Sequence, residues 1–172
     1  MSNIVYSLPN SEQQLVFTPS VLEVFSAYRQ GKGNSEAGGL LFAKFNLPII
    51  YIVEASTPKD SDKRWRALFV PNRVLQRQLI KQRFKNGYHF IGEWHTHPVA
   101  EPNPSLLDLK STTDSFLKSK HELNYFVMVI VGNNVARTDL WVSLHDGLDC
   151  YRLSSNSDSL LGRNSNMGGS YE

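Results

Sequence analysis

Gly92-Glu93-Trp94-His95-Thr96-His97-Pro98, followed by Pro104-Ser105-Leu106-Leu107-Asp108, is the stretch on which both fold and chemistry turn. Tyr88 to His95 reads as a strand, and Pro98 stops it. Along a strand, residues two apart face the same side. His95 and His97 therefore converge, while Trp94 and Thr96 point the opposite way, into a core. The Pro98-to-Pro104 loop leads to a helix from Ser105 to about Ser119, with Ser105 as its N-cap. Ser105 and Asp108 lie on one side of its first turn. The proline-rich loop would lay that turn over the strand end, bringing a carboxylate to two imidazoles. Three such ligands with a fourth position open describe a catalytic zinc site. Each feature alone is ordinary, since surface strands carry His-x-His and Pro-Ser followed by Asp is a common helix start. Their joint occurrence over residues 95–108 points to a site.

Working outward, the chain alternates strands and helices. Ile4 to Leu8 and Leu15 to Phe17 read as short strands. Thr18-Pro19 reads as an N-cap and first turn of a helix to about Gln30. Gly39 to Phe45 and Ile49 to Ser56 form a hairpin, and Thr57 to Lys63 a loop. Trp65 to Val70 reads as one more strand. Asn72 caps a second helix through Val74, Leu75, Leu79, Ile80 and Phe84 to Gly87. Asn124 to Val131 and Val135 to His145 are strands joined by a turn, and Cys150 to Leu153 adds an edge. The pattern implies an α/β sandwich, a mixed central sheet flanked by about three helices. One domain, 1–153, is expected, with a flexible tail over 154–172 rich in Ser, Asn and Gly.

The 172 residues can bury a core without staples. The single cysteine, Cys150, allows no intrachain disulfide and is expected as a buried packing residue. No signal segment and no membrane-length apolar run is visible, so a cytoplasmic protein that does not insert in membranes is expected. The net charge of +2 is unevenly spread. Residues 63–86 hold Lys63, Arg64, Arg66, Arg73, Arg77, Lys81, Arg83 and Lys85 without an acid, which leaves the remainder net acidic. Arg73, Arg77 and Lys81 recur on one helix side. They are either a solvated face or a dock for an acidic partner surface, with nucleic acid the weaker choice. Two acids compete as a general base. Glu93 shares the histidine face by parity, and Glu36 precedes two glycines that permit close backbone approach. His89, His121 and His145 lack partners at ligand spacing and read as surface or structural residues.

His95-x-His97-Pro98, with Ser105 eight residues beyond His97 and Asp108 three further on, resembles the JAMM motif of the JAB/MPN zinc metalloprotease family. The order of elements over residues 15–145 also follows that family. The resemblance implies a cytidine-deaminase-like MPN/JAB sandwich. It implies one catalytic Zn2+ on His95, His97 and Asp108, with Glu36 as general base and Ser105 steadying the oxyanion. Among the branches, the sequence is similar to stand-alone bacterial deconjugases of CBASS anti-phage systems. The implied partner is then a protein conjugate, a CD-NTase held by its C-terminal tail. The Thr57-to-Arg66 loop and Val99 to Pro104 are expected to flank that tail. A RadC-like DNA-repair-associated relative and a zinc-containing non-catalytic binding module are the alternatives.

Overall fold

The computed structural model describes residues 2–134 and 140–156. The strands are β1 (Ile4–Ser7), β2 (Gln14–Phe17), β3 (Gly38–Asn46), β4 (Ile49–Ala55), β5 (Lys63–Trp65), β6 (Leu68–Val70), β7 (His89–Thr96), β8 (Phe126–Val131), β9 (Leu140–His145) and β10 (Cys150–Arg152). The helices are α1 (Pro19–Ala27), α2 (Arg73–Lys85) and α3 (Leu106–Lys118). Eight strands form one mixed sheet in the order β1-β2-β4-β3-β7-β8-β9-β10, in which β2–β4 and β7–β8 are the parallel pairs. The sheet curls until its edges approach. Ser155, just beyond β10, bridges to Tyr6 of β1, and Ser7 Oγ donates to Asn156 Oδ1 at 3.1 Å. The fold is the expected mixed α/β sandwich with three helices.

The core lies on the inner face of this curl, around α1. Val21, Leu22 and Phe25 of α1 are buried against Phe17, Ile52, Trp94, Val129 and Val142. The rings of Phe25 and Trp94 stand 5.2 Å apart. Trp94 and Thr96 are buried, as their parity on β7 required. α2 and α3 cover the other face, on which Arg73 of α2 reaches Glu93 and Thr112 of α3 reaches Met128. Gly92 lets β7 and β8 pair closely: at φ +155°, a Cβ there would fall 1.8 Å from the Val127 carbonyl oxygen.

Three local expectations change. Trp65 to Val70 is not one strand. Residues 63–70 fold into the separate hairpin β5–β6, because β5 turns its backbone to Glu36 rather than to the main sheet. The Thr18 side chain does not cap α1; its hydroxyl donates to the Ile52 carbonyl at 3.0 Å instead. α1 ends at Ala27, and Gln30 turns inward. Cys150 is exposed rather than buried, since every residue of the edge strand β10 faces solvent. Of the expected strand from Val135, residues 135–139 lie outside the described residues, as do 157–172 of the expected tail. No helix among the described residues is long and apolar enough to cross a membrane.

Candidate metal centre

The end of β7 and the first turn of α3 meet as the sequence required. His95 Nε2 and His97 Nε2 stand 3.1 Å apart. Asp108 Oδ1 lies 3.2 Å from His95 Nε2, and Asp108 Oδ2 lies 3.4 Å from His97 Nε2. Tetrahedral zinc with ligands at 2.0–2.1 Å needs donor–donor separations of about 3.3 Å. The two imidazole nitrogens stand close to that separation, and Asp108 brings one oxygen to a like distance from each of them. Glu36 joins them: it, His95 and His97 each offer a ligand atom within 4.8 Å of one another, a grouping that could hold a metal ion. Asp108 therefore stands within 3.4 Å of a nitrogen of each histidine, with the Glu36 carboxylate on the same cluster.

Several elements fix this geometry. The His97 amide donates to the Val131 carbonyl at 3.0 Å, and the Asn133 amide to the Val99 carbonyl at 2.8 Å, so the end of β8 and the turn that follows it anchor the segment after β7. α3 starts with a reciprocal capping box. Ser105 Oγ accepts from the Asp108 amide at 3.1 Å, and Asp108 Oδ2 accepts from the Ser105 amide at 2.7 Å. Ser105 Oγ also donates to Asp108 Oδ2 at 2.7 Å. One pair of residues thus caps the helix and aims the carboxylate.

Glu36 is 6% exposed and sits two residues before β3. Its amide donates to the Trp65 carbonyl at 2.7 Å, and Arg64 Nε donates to its carbonyl at 2.7 Å. Three residues on, Gly39 lets β3 pack closely against the end of β4, because a Cβ there would lie 2.1 Å from the Ser56 carbonyl oxygen. Glu93 is held elsewhere, in an ion pair with Arg73 at 2.8 Å. Glu54 is likewise engaged, bidentate to Arg83 at 2.7 and 2.9 Å.

Charge and burial set the titration of the group. Burial pushes the Glu36 carboxyl up, against the opposing pull of His95 and His97, and Asp108 adds to the rise. Burial would also raise Asp108, but hydrogen bonds from His95, His97 and Ser105 hold it well below the carboxylate range. The hydrogen bond to Asp108 raises His97 despite its burial.

Gln30 is a functional candidate that the sequence did not reveal. It is 1% exposed, and its amide nitrogen donates to the Asn34 carbonyl at 2.9 Å and the Arg66 carbonyl at 2.5 Å. Its amide oxygen faces Thr96 Oγ1 at 3.4 Å, and that hydroxyl accepts from the Ala37 amide at 3.0 Å. One side chain thus ties together the Glu36 loop, the β5–β6 turn and the histidine strand. Its sequence signal was weak: a glutamine before Gly31 looks like a solvated helix end.

The centre opens into a cleft of about 450 Å³. Its walls include the exposed apolar residues Leu68, Val70, Val99 and Leu107. Val99 was expected there. The opposite wall is Ala67 to Pro71 rather than the Thr57-to-Arg66 loop, because the chain doubles back at Arg66 and Ala67 to place β6 over the site. Of the other histidines, His145 is buried against Ser143, His121 packs on Phe116 and Phe126, and His89 is exposed beside Phe45 and Phe84.

Residues 18–143 match the family described as prokaryotic homologs of the JAB domain. The chain belongs to this family. The similar proteins include relatives named CD-NTase/cGAS isopeptidase. That of Pseudomonas aeruginosa is 33% identical over 130 residues, 73% of this chain and 82% of the relative. Those of Escherichia coli and Enterobacter hormaechei subsp. hoffmannii are 29% and 28% identical, over 83% and 79% of this chain and 88% and 77% of the relatives. A solution structure from Desulfitobacterium hafniense superposes with a TM-score of 0.56 at 20% identity, covering 79% of this chain and 87% of that one. One from Salinibacter ruber gives 0.50 at 19%, covering 79% and 86%. These two likenesses concern the fold alone.

Proposed function

We propose that this chain is a zinc-dependent isopeptidase that acts in the cytoplasm on a protein conjugate, releasing a CD-NTase from its targets in CBASS anti-phage defence. The observation that carries this reading is the triangle of His95, His97 and Asp108, with donor separations of 3.1–3.4 Å, beside the buried carboxylate of Glu36. The names of the relatives supply the substrate class.

His95, His97 and Asp108 would hold the metal. Bound zinc would supply Lewis acidity, lowering the pKa of its water toward neutrality and polarising the scissile carbonyl. Glu36 takes the proton of the attacking water as its oxygen adds to the carbonyl carbon. When the C–N bond breaks, Glu36 returns that proton to the leaving amine, giving a carboxylate and a free lysine or terminal amine. Its burial suits both steps, since a carboxyl raised above the ordinary value holds a proton longer near neutrality. Ser105 serves the oxyanion by turning its hydroxyl from Asp108 Oδ2 into the cleft. The walls at Leu68, Val70 and Val99 flank an extended C-terminal tail, which can pair its backbone with β6.

The test uses the purified protein and a CD-NTase joined through its C-terminus to a lysine. Wild-type protein with zinc should release the CD-NTase, and chelator or Glu36→Gln should abolish release. Cleavage that survives chelation, or a Glu36→Gln protein working at the wild-type rate, overturns the reading.

A further inference from the structure

A second groove, of about 590 Å³, runs between α2 and α3. Leu40, Ile80 and Phe90 give it an apolar component. Arg73, Arg77 and Lys81 of α2 line it together with Lys118 of α3 and Lys120 just beyond. Two of these cations are matched, Arg73 by Glu93 and Lys118 by Asp114. Arg77, Lys81 and Lys120 have no acidic partner among the described residues. Elsewhere in the basic stretch, Arg64 is bonded to the Glu36 carbonyl and Arg83 to Glu54, while Lys63, Arg66 and Lys85 are exposed. Part of the surplus positive charge seen in the sequence thus lines this groove, joined by cations of α3 and the residues after it, which the sequence had not linked to it.

The groove joins the catalytic cleft, since Arg73 and Ser111 line both. Its length also fits one kind of occupant. Residues four apart on a helix are separated by about 6 Å along its axis. Alternate residues of an extended chain are about 6.6 Å apart. Acidic side chains at every second position of an extended segment would match the α2 row in step. We infer that the α2–α3 groove binds an extended acidic polypeptide segment of the conjugated protein, beside the bond to be cut. This rests on the isopeptidase reading for its substrate, but the binding itself is separable from it.

The probe is a fluorescein-labelled ten-residue peptide alternating glutamate and alanine, titrated by anisotropy with the intact protein. Wild type should bind it, and raising salt from about 0.05 to about 0.5 M should release it, because the Debye length shrinks below the reach of exposed pairs. Exposed pairs contribute about twofold each, so Arg77→Gln/Lys81→Gln/Lys120→Gln should weaken binding about tenfold. A charge-reversed triple variant should weaken it further, and the glutamine version of the peptide should not bind. All three residues are on the surface, and an unchanged circular dichroism melt would show that each variant is folded. Equal binding by wild type and variants, no binding by either, or tighter binding of a single-stranded oligonucleotide of equal charge overturns the inference. A second arm cuts a short isopeptide lacking acidic residues and one carrying the acidic segment. The triple variant should lose about tenfold in kcat/KM on the acidic substrate alone. Failure of the wild type to cut either substrate counts against the isopeptidase reading, whereas equal loss on both counts against the groove.

Discussion

The two faces of the sheet are built by different rules. On the inner face, α1 places Val21, Leu22 and Phe25 in full burial, and its polar contacts are few. On the outer face, α2 has no buried residue at all, and Val74, Leu75 and Phe84 are 55%, 40% and 65% exposed. α3 buries only Thr112. The inner face holds the fold together. The outer face carries His95, His97, Ser105 and Asp108 beside open clefts, while Glu36 and Gln30 support them from buried positions. Stability and function are thus assigned to opposite sides of one strand, β7, whose odd residues Glu93 and His95 face the clefts while Trp94 and Thr96 face the core.

That division can be broken by substitution. Phe25→Ala should cost about 3–5 kcal/mol of stability, as truncation of a fully buried aromatic does. Denaturant unfolding measures it, and a loss below 1 kcal/mol would mean that the inner face is not the core. Ser105→Ala should lower kcat about 100-fold or more, as removal of one oxyanion donor does. It should cost only about 1 kcal/mol of stability through the lost cap, and zinc should still bind. Loss of zinc in step with turnover would reduce Ser105 to a holder of Asp108. Gln30→Leu should reduce kcat about tenfold while zinc affinity holds, because an unmet carbonyl near Glu36 costs roughly 1–3 kcal/mol. An acidic limb of the pH–rate profile displaced from wild type would mark the effect as acting through Glu36.

Titration sharpens the contrast further. His97 is raised from 6.5 by Asp108, so the metal-free fold gains stability below 6.5 and loses it as pH rises through the higher folded value. Asp108 is lowered from 3.8, so its contribution is present above that value and fades on acidification below it. The chelated protein should therefore melt at falling temperatures as pH rises beyond 6.5, and added zinc should remove that trend by displacing the proton. A chelated protein with a flat melting profile over that window would show that the His97–Asp108 pair adds nothing to the fold. At the small end, Phe84→Ala should change stability by less than about 0.5 kcal/mol despite the size of the ring, because it is already in water.

How much was legible in the sequence follows from which residues interact locally. His95, His97, Ser105 and Asp108 came together because a strand period and a helix turn place them, and both are properties of short stretches. α2 began at Asn72 as its cap foretold, with the side chain accepting from the Val74 and Leu75 amides. Parity could not tell Glu36 from Glu93, since their surroundings differ through Arg73, twenty residues before Glu93 and paired with it, and Arg64, which grips the Glu36 backbone. The hairpin at 63–70 and the inward turn of Gln30 were hidden for the same reason. Each is settled by a backbone group supplied from another part of the chain, which no periodicity records.

The meeting of Ser155 with Tyr6 has a consequence for how this protein avoids its neighbours. An open sheet offers two unpaired strand edges, and any passing chain can extend it. Here the two outer strands are drawn toward one another across the closing seam. β6, paired only with β5 among the described residues, remains as a free rim, and it lines the cleft that holds the candidate metal centre. The molecule has its adhesive margin where a captured chain would lie beside the cutting machinery, so stickiness and selectivity are the same surface.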